Sequence, residues 1–427
     1  MKRISRKGLL RHAGFSCNHD CGLSGDSVKR GLDMQKLRFF QTAVGIFLVV
    51  FAAAVPFSIA LAQSALGLAL LLWMVSMILN KEWRLPRTDL DPFILAYCAM
   101  EIISLVFSVD RHAAFIYSKR LLLILILYLF AANVPDRKQV GRLFTAMLGV
   151  GSVLALIGLY KYISGLGGLQ GRLSLYHHYM TTGGIFMILS LYAFSILLSG
   201  APLKIRALAA AAGVLTGLPL ILSFTRSSWL GFFAGLLALF LLCSRKWIPV
   251  LAVLAGLAWL ASPRSLRDRA LSAFDPGHET NVERVYMWKA GIRMMLDRPL
   301  TGYGDIDLGK IYEERYRPAE ARQKHGHMHN NFIMIGATLG IPGLLILLAL
   351  FIRVVFLECA VFFSLNRDDW LLRSAAAGGL ASFTGFQVSG FFEWTFGDAE
   401  LAMLMWFSIG LALAARRIAG SGCIRET

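Results

Sequence analysis

The chain has 427 residues and a formal net charge of +17; 56% of it is hydrophobic and only 16% charged, with a mean hydropathy of +0.60. That balance excludes an ordinary soluble enzyme and points to an all-α polytopic membrane protein whose core is a lipid-embedded bundle. The positive charge is strung along segments between apolar runs and forms no nucleic-acid module, so membrane topology and a phosphate-bearing substrate account for it and no nucleic-acid partner is expected. The cysteines, Cys17, Cys21, Cys98, Cys243, Cys359 and Cys423, are scattered and imply no disulfide framework. Cys17 and Cys21 with His19 look faintly metal-like, but no second ligand pair follows at finger-like spacing.

Residues 1–38 read as a basic cytoplasmic segment, polar and rich in Gly and Ser until apolar character begins after Met34, which makes Met34 a candidate start. A cleaved signal peptide is disfavoured, because the apolar stretch lies far from the N-terminus and lacks a small-residue cleavage site. About twelve candidate spans of ~17–25 apolar residues follow. They begin near Gln41, Ala60, Asp91, Lys119, Val140, Tyr179, Ile205, Ser227, Trp247, Asn331, Trp370 and Asp398. Spans 1–9 occupy residues 39–261, spans 10–12 occupy 331–417, and 418–427 form a cytoplasmic tail. Several are broken by Gly and Pro, so boundaries slip and two short neighbours can form one hairpin.

Basic residues fall in every second loop: Lys81, Arg84 and Arg87; Arg137, Lys138 and Arg142; Lys204 and Arg206; Arg245 and Lys246; Arg367, Arg373, Arg416 and Arg417. This pattern puts both termini in the cytoplasm and residues 262–330 outside, which in a Gram-negative bacterium is the periplasm. Arg120, Arg172 and Arg226 stand at outer span ends, where the charge rule does not ask for them. Each can snorkel to the headgroups. The alternative is a cationic cradle for a polyanion, because a guanidinium binds pyrophosphate bidentately and stays charged. Arg226 has the strongest claim, lying in the polar stretch Ser223–Trp229 between two apolar runs.

In the outer loop, Thr280-Asn281-Val282-Glu283 has the form of a capping box, and Val285, Trp288, Ile292, Met295 and Leu296 follow at helical spacing. The spacing predicts an amphipathic helix ending near Asp297-Arg298-Pro299, then a turn at Gly302-Tyr303-Gly304. Arg284 is one turn before Trp288; on an interfacial helix it would reach a lipid phosphate, and otherwise it belongs to a solvated face. His325, His327 and His329 share one face if the segment is extended, which would suit a metal with Asp305, Asp307, Glu313 or Glu314. Nothing in the spacing resembles a His-x-x-x-His pair, and no metal is expected. His329 is the better candidate for a catalytic base, with His327 beside it: the start of the helix after Asn330 and the nearby arginines disfavour imidazolium. Asn330 can cap that helix. Near the other end, Asp398 most simply caps the last helix, and Glu393 orients a sugar or an arginine or forms a structural ion pair. Glu101 is the one notable charge inside an apolar span.

Arg226 in its Thr-Arg-Ser context, Arg284-x-x-x-Trp288, Pro299-Leu300-x-Gly302-x-Gly304, and His327-x-His329-Asn330 leading into Leu339-Gly340-Ile341-Pro342-Gly343 resemble the bacterial O-antigen ligase and polymerase superfamily, over roughly Tyr160 to Arg417. The resemblance implies a GT-C-like glycosyltransferase of the bacterial inner membrane, its active site facing the periplasm and its donor an undecaprenyl-pyrophosphate-linked glycan. The acceptor is a lipid A-core oligosaccharide in ligases and another lipid-linked repeat unit in polymerases; the ligase is the favoured reading. The same likeness implies His329 as base and Arg226 and Arg284 as pyrophosphate ligands, with Arg172 a looser match. His325 and the N-terminal extension depart from the pattern. The chemistry is independently reasonable: an imidazole draws the proton from a sugar hydroxyl while arginines, in place of a metal, stabilise the departing pyrophosphate, and a single displacement inverts the anomeric carbon. No cofactor is needed. A transporter or flippase is the other functional class, but it would be expected to show internal repeats and midspan charges, whereas the notable charges here gather at the outer face.

Overall fold

A computed structural model describes residues 25–81, 85–166, 171–322 and 326–423. The Cys17, Cys21 and His19 group and His325 lie outside these residues. The described chain is helical throughout, without strands. In order, its helices are α1 (Gly25–Ala54), α2 (Ile59–Asn80), α3 (Asp91–Val106), α4 (Arg111–Tyr117), α5 (Leu125–Asn133), α6 (Arg137–Ile163), α7 (Tyr179–Leu198), α8 (Leu203–Leu222), α9 (Arg226–Cys243), α10 (Ile248–Ala261), α11 (Arg264–Leu271), α12 (Glu279–Asp297), α13 (Gly309–Ile311), α14 (Asn331–Ser364), α15 (Trp370–Gly390) and α16 (Ala399–Cys423).

Among the described residues eight helices are long and apolar enough to cross a membrane: α2, the stretch Arg111–Asn133, α6, α7, α8, α9, α14 and α16. The other four of the twelve expected spans are also helical, but three are short: the apolar part of α1 (Arg38–Ala54), α3 and α10. The fourth, α15, is long enough but rich in Gly, Ser and Ala. Its composition follows from its surroundings, since nearly every residue from Ser374 to Phe386 is buried against protein. On α9, Gly231 and Gly235 face Gly385 and Ala381 of α15 so closely that a Cβ at either would lie 2.5 or 2.6 Å from a carbonyl oxygen. Small residues four apart let two helix backbones touch where lipid offers no hydrophobic drive for association. The last helix, α16, continues to Cys423.

The loop motifs and α14 hold one another. Gly340 (φ 74°) leaves the helical region and Pro342 follows, so the amide-to-carbonyl ladder of α14 is interrupted there. The amides of Tyr303 and Gly304 donate to the released carbonyls of Ala337 and Thr338, each at 3.0 Å, and Ile341 donates to the Pro299 carbonyl at 2.8 Å. Ser104 of α3 adds its hydroxyl to Thr338 and Thr301 at 2.8 and 2.9 Å. A Cβ on Gly302 would meet Thr338 backbone at 2.3 Å, which explains glycine there. These motifs are thus a backbone clamp that fixes the first turns of α14.

The loop helix α12 ends at Asp297, as Pro299 requires, but two expectations fail. Its N-cap is His278, not Thr280; the Thr280 hydroxyl instead accepts from Arg226, and Glu283 accepts from the Arg322 amide at 2.8 Å. Its protein-facing stripe is Met287, Ala290, Gly291 and Met294, leaving Val285, Ile292 and Leu296 outward. Arg284 is consequently turned toward the protein rather than out over a headgroup.

Candidate functional site

Four arginines from separate elements gather beside the start of α9. Phe224 sits in the left-handed region (φ 51°), bending the chain so that Arg226 becomes the first residue of α9. The buried Arg226 guanidinium donates to Ser272 Oγ (3.0 Å), Thr280 Oγ1 (3.0 Å) and Asn281 Oδ1 (2.7 Å). All three acceptors are neutral, so they hold its geometry without cancelling its charge. Arg269 of α11 donates through Nε to the Phe224 carbonyl at 3.2 Å. Burial, then Arg172, Arg226 and Arg284, push its pKa down to about 10. It remains cationic at neutral pH, with on the order of one molecule in a thousand deprotonated. Burial also lowers Arg284, opposed by Glu393, whose Oε2 lies 3.6 Å from Arg284 Nη2. Arg172 stacks its guanidinium 4.3 Å over Tyr179.

Next to this cluster is His329, itself left-handed (φ 45°), an uncommon conformation for a residue with a Cβ. The Asn330 side chain accepts from the amides of Phe332 (2.9 Å) and Ile333 (3.0 Å), capping α14, and donates to the Phe391 carbonyl at 2.8 Å. It therefore positions its neighbours. His329 Nδ1 lies 2.7 Å from Glu393 Oε1, and its ring packs edge-on to His327 at 4.3 Å between centroids. Burial alone would raise the Glu393 carboxyl, but His329, Arg284 and His327 together override it and hold the group at about 2. Against an ionised carboxylate, Nδ1 carries the ring proton, which makes Nε2 the basic nitrogen. The expectation for Glu393 is thereby sharpened to an ion pair that orients both a histidine and an arginine.

Not every expected ligand joins the cluster. Arg120 stands apart, paired with Asp305 at 3.3 Å and packed on Tyr117, so its charge is already matched. Asp307 accepts from the Gly309 amide at 2.7 Å while bordering the same cavity as His327 and His329, and Glu314 faces Lys310 at 3.9 Å. His327, His329 and Glu393 do place one ligand atom each within 4.8 Å of one another, enough to approach a cation. That carboxylate already faces Arg284, and a dication would have to compete with the guanidinium for it.

Two spaces flank the site. A polar cavity of about 470 Å³ is bordered by His329, Glu393, His178, Thr181, Asp398 and Arg120. On the other side an apolar groove of about 1020 Å³ runs between α8, α9 and α10, lined by Leu220, Trp229, Phe233 and Phe240 and bordered at one end by Ala270, next to Arg269. Beside Glu101 the void is only about 20 Å³, room for one water. Glu101 is bound there by the Tyr97 hydroxyl at 2.6 Å.

Sequence reasoning missed three things. Arg269 belongs to a short helix hidden in the loop, whose arginine spacing in Arg264–Leu271 was the available signal. Asp398 stands in the expected N-cap position, its carbonyl accepting from the Ala402 amide at 2.9 Å, but its carboxylate also accepts from Thr181 at 2.9 Å, a tie between distant segments. Glu358 is a second acid within an apolar span besides Glu101, fully buried in α14 with no hydrogen-bond partner for either oxygen.

Residues 211–348 match the family described as O-antigen ligase. The matched stretch carries Arg226, Arg269, Arg284, His327 and His329 and supports the superfamily resemblance read from the motifs. No curated protein matches the sequence.

Proposed function

We propose that this protein is an O-antigen ligase, an inverting, metal-independent glycosyltransferase that moves a glycan from undecaprenyl pyrophosphate to a lipid A-core oligosaccharide. The observation that carries the reading is the junction of four arginines with the His329–Glu393 pair at the end of an apolar groove. A polyprenyl pyrophosphate has the matching shape: a long apolar tail for the groove and a polyanionic head for Arg226, Arg269 and Arg284, with Arg172 at the edge. The loop 262–330 then faces the periplasm of the inner membrane, where such a donor and acceptor meet.

His329 Nε2 takes the proton of the attacking sugar hydroxyl, and the new imidazolium is stabilised by Glu393 at Nδ1. The hydroxyl oxygen forms its bond to the anomeric carbon as the carbon–oxygen bond to pyrophosphate breaks from the opposite face, so configuration inverts. The electron pair passes to the pyrophosphate oxygen. Arg226 and Arg269 are already held in place by neutral hydroxyl, amide and carbonyl groups, so stabilising that oxygen requires little reorganisation of them. They take the role a metal has elsewhere. His327 packs against the base and adds to the positive field on Glu393.

The test is transfer by purified protein from undecaprenyl-pyrophosphate glycan to lipid A-core in the presence of EDTA, beside His329→Ala. Product that depends on the acceptor and on His329 but not on metal is expected. Longer lipid-linked chains formed without lipid A-core would instead mean a polymerase, and a His329→Ala protein with near-normal turnover would remove the base from the mechanism.

A further inference from the structure

The His329–Glu393 pair borders a cavity whose lining differs from the arginine cluster. None of the clustered Arg172, Arg226, Arg269 or Arg284 borders that polar cavity. Among the described residues around that cavity the acids are Glu393, already paired with His329 and Arg284, and Asp307 and Asp398; the arginine is Arg120, matched by Asp305 at 3.3 Å; and His178, His327 and His329 complete the polar lining. A pyrophosphate is drawn to the arginine cluster, whereas a second anion entering the cavity meets Asp307 and Asp398. The volume, about 470 Å³, suits a small polar ligand. Trp394 and Tyr117 also border it and offer apolar ring faces beside the polar groups.

We propose that this cavity holds the terminal sugar of the acceptor, that it admits an uncharged hexose in preference to an anionic sugar, and that Asp398, held by Thr181, positions the attacking hydroxyl toward His329. The inference rests on the ligase reading and adds the class of acceptor to it. Thr181 Oγ1 donates to Asp398 Oδ2 at 2.9 Å, anchoring the carboxyl on the wall that also carries His178 and His329. Burial, with Glu393 and Glu400 adding to it and Thr181 opposing it, pushes the Asp398 carboxyl up to about 7. Near neutral pH it therefore offers both an O–H donor and a carboxylate acceptor, the two roles a sugar hydroxyl can satisfy. An anionic sugar brings its charge against Asp307 and Asp398, and among the described residues no unmatched arginine borders the cavity to receive it, so discrimination follows from that repulsion.

The experiment uses the full chain, undecaprenyl-pyrophosphate glycan, and two lipid A-core acceptors that differ in the terminal sugar, glucose or glucuronic acid. Wild type should favour the glucose acceptor by about ten-fold or more in kcat/KM, the scale of one lost charged contact. Asp398→Asn should raise the glucose-acceptor KM by about ten-fold and narrow the preference between acceptors, with the donor KM within about two-fold of wild type. Thr181→Val, which frees the carboxyl without removing it, should raise the same KM more weakly. It also stands in for Asp398→Asn should that variant fail to fold. If His329→Ala is inactive in the same assay yet neither variant changes acceptor KM or preference, the acceptor inference falls while the ligase reading stands. If wild type transfers equally to both acceptors, the charge selection is refuted, and if it transfers to neither, the ligase reading and this inference fall together.

Discussion

Glu393→Gln isolates what the carboxylate does, because the amide keeps the volume and loses the charge. The carboxylate lies 2.7 Å from His329 Nδ1 and 3.6 Å from Arg284 Nη2. Its depression from 4.5 to about 2 means that the folded protein favours the ionised form by roughly 3 kcal/mol, at about 1.36 kcal/mol per pH unit. A Coulomb estimate for Arg284 alone, at an effective dielectric of about 20, is about 4–5 kcal/mol before the burial cost is subtracted, which is the same order. Glutamine removes this field. It can also turn its NH₂ toward Nδ1 and favour the tautomer with the proton on Nε2, the nitrogen that must accept one. The expected loss in kcat is on the order of 10²–10⁴-fold, the range for a misoriented general base. Donor affinity should hold or improve, since Arg284 is released toward the pyrophosphate. Single-turnover transfer separates the two quantities when paired with direct donor binding. A Glu393→Gln enzyme within about three-fold of wild-type kcat would refute the orienting role. The pH dependence has a definite sign: a depressed carboxyl contributes stability above its unfolded value of 4.5 that is lost as pH falls toward about 2.

Other substitutions test separate parts of the structure. Arg269→Ala should raise the donor KM by about ten-fold in steady-state transfer while leaving acceptor KM unchanged, and lysine should rescue it only in part, lacking the planar fork that reaches the Phe224 carbonyl; an unchanged donor KM would remove Arg269 from the site. Asp398 behaves oppositely to Glu393: its folded value is raised from 3.8 to about 7, so its contribution to stability is greatest at low pH and falls as pH rises between those values. Asp398→Asn should therefore raise the unfolding temperature relative to wild type at pH 8 and much less at pH 5, and equal shifts at both would contradict the buried-acid account. Glu358→Met, which replaces a fully buried carboxyl lacking hydrogen bonds, should stabilise the detergent-solubilised protein by about 1–3 kcal/mol in thermal unfolding; destabilisation would indicate a partner for that acid.

How far the primary structure can be read depends on the range of the force involved. Apolar runs and Pro or Gly breaks act within one segment, so the helical membrane class, the end of α12 at Asp297 and the cap by Asn330 were all legible. Arg226, Arg284, His329 and Glu393 could be named as candidates from their ionisable side chains in or beside apolar runs. Their pairing could not be read that way. Glu393 and His329 are 64 positions apart, and only the packing of α12, α14 and the turn before α16 brings them to 2.7 Å with Arg284 alongside. The same packing decided that Arg120 is matched by Asp305, that Arg269 joins the cluster, and that α15 can be less apolar because protein rather than lipid surrounds it. Local sequence determines where a helix starts and which residues are expensive to bury, whereas the identity of the partner that offsets that expense is set by contacts between distant segments, which no local pattern encodes.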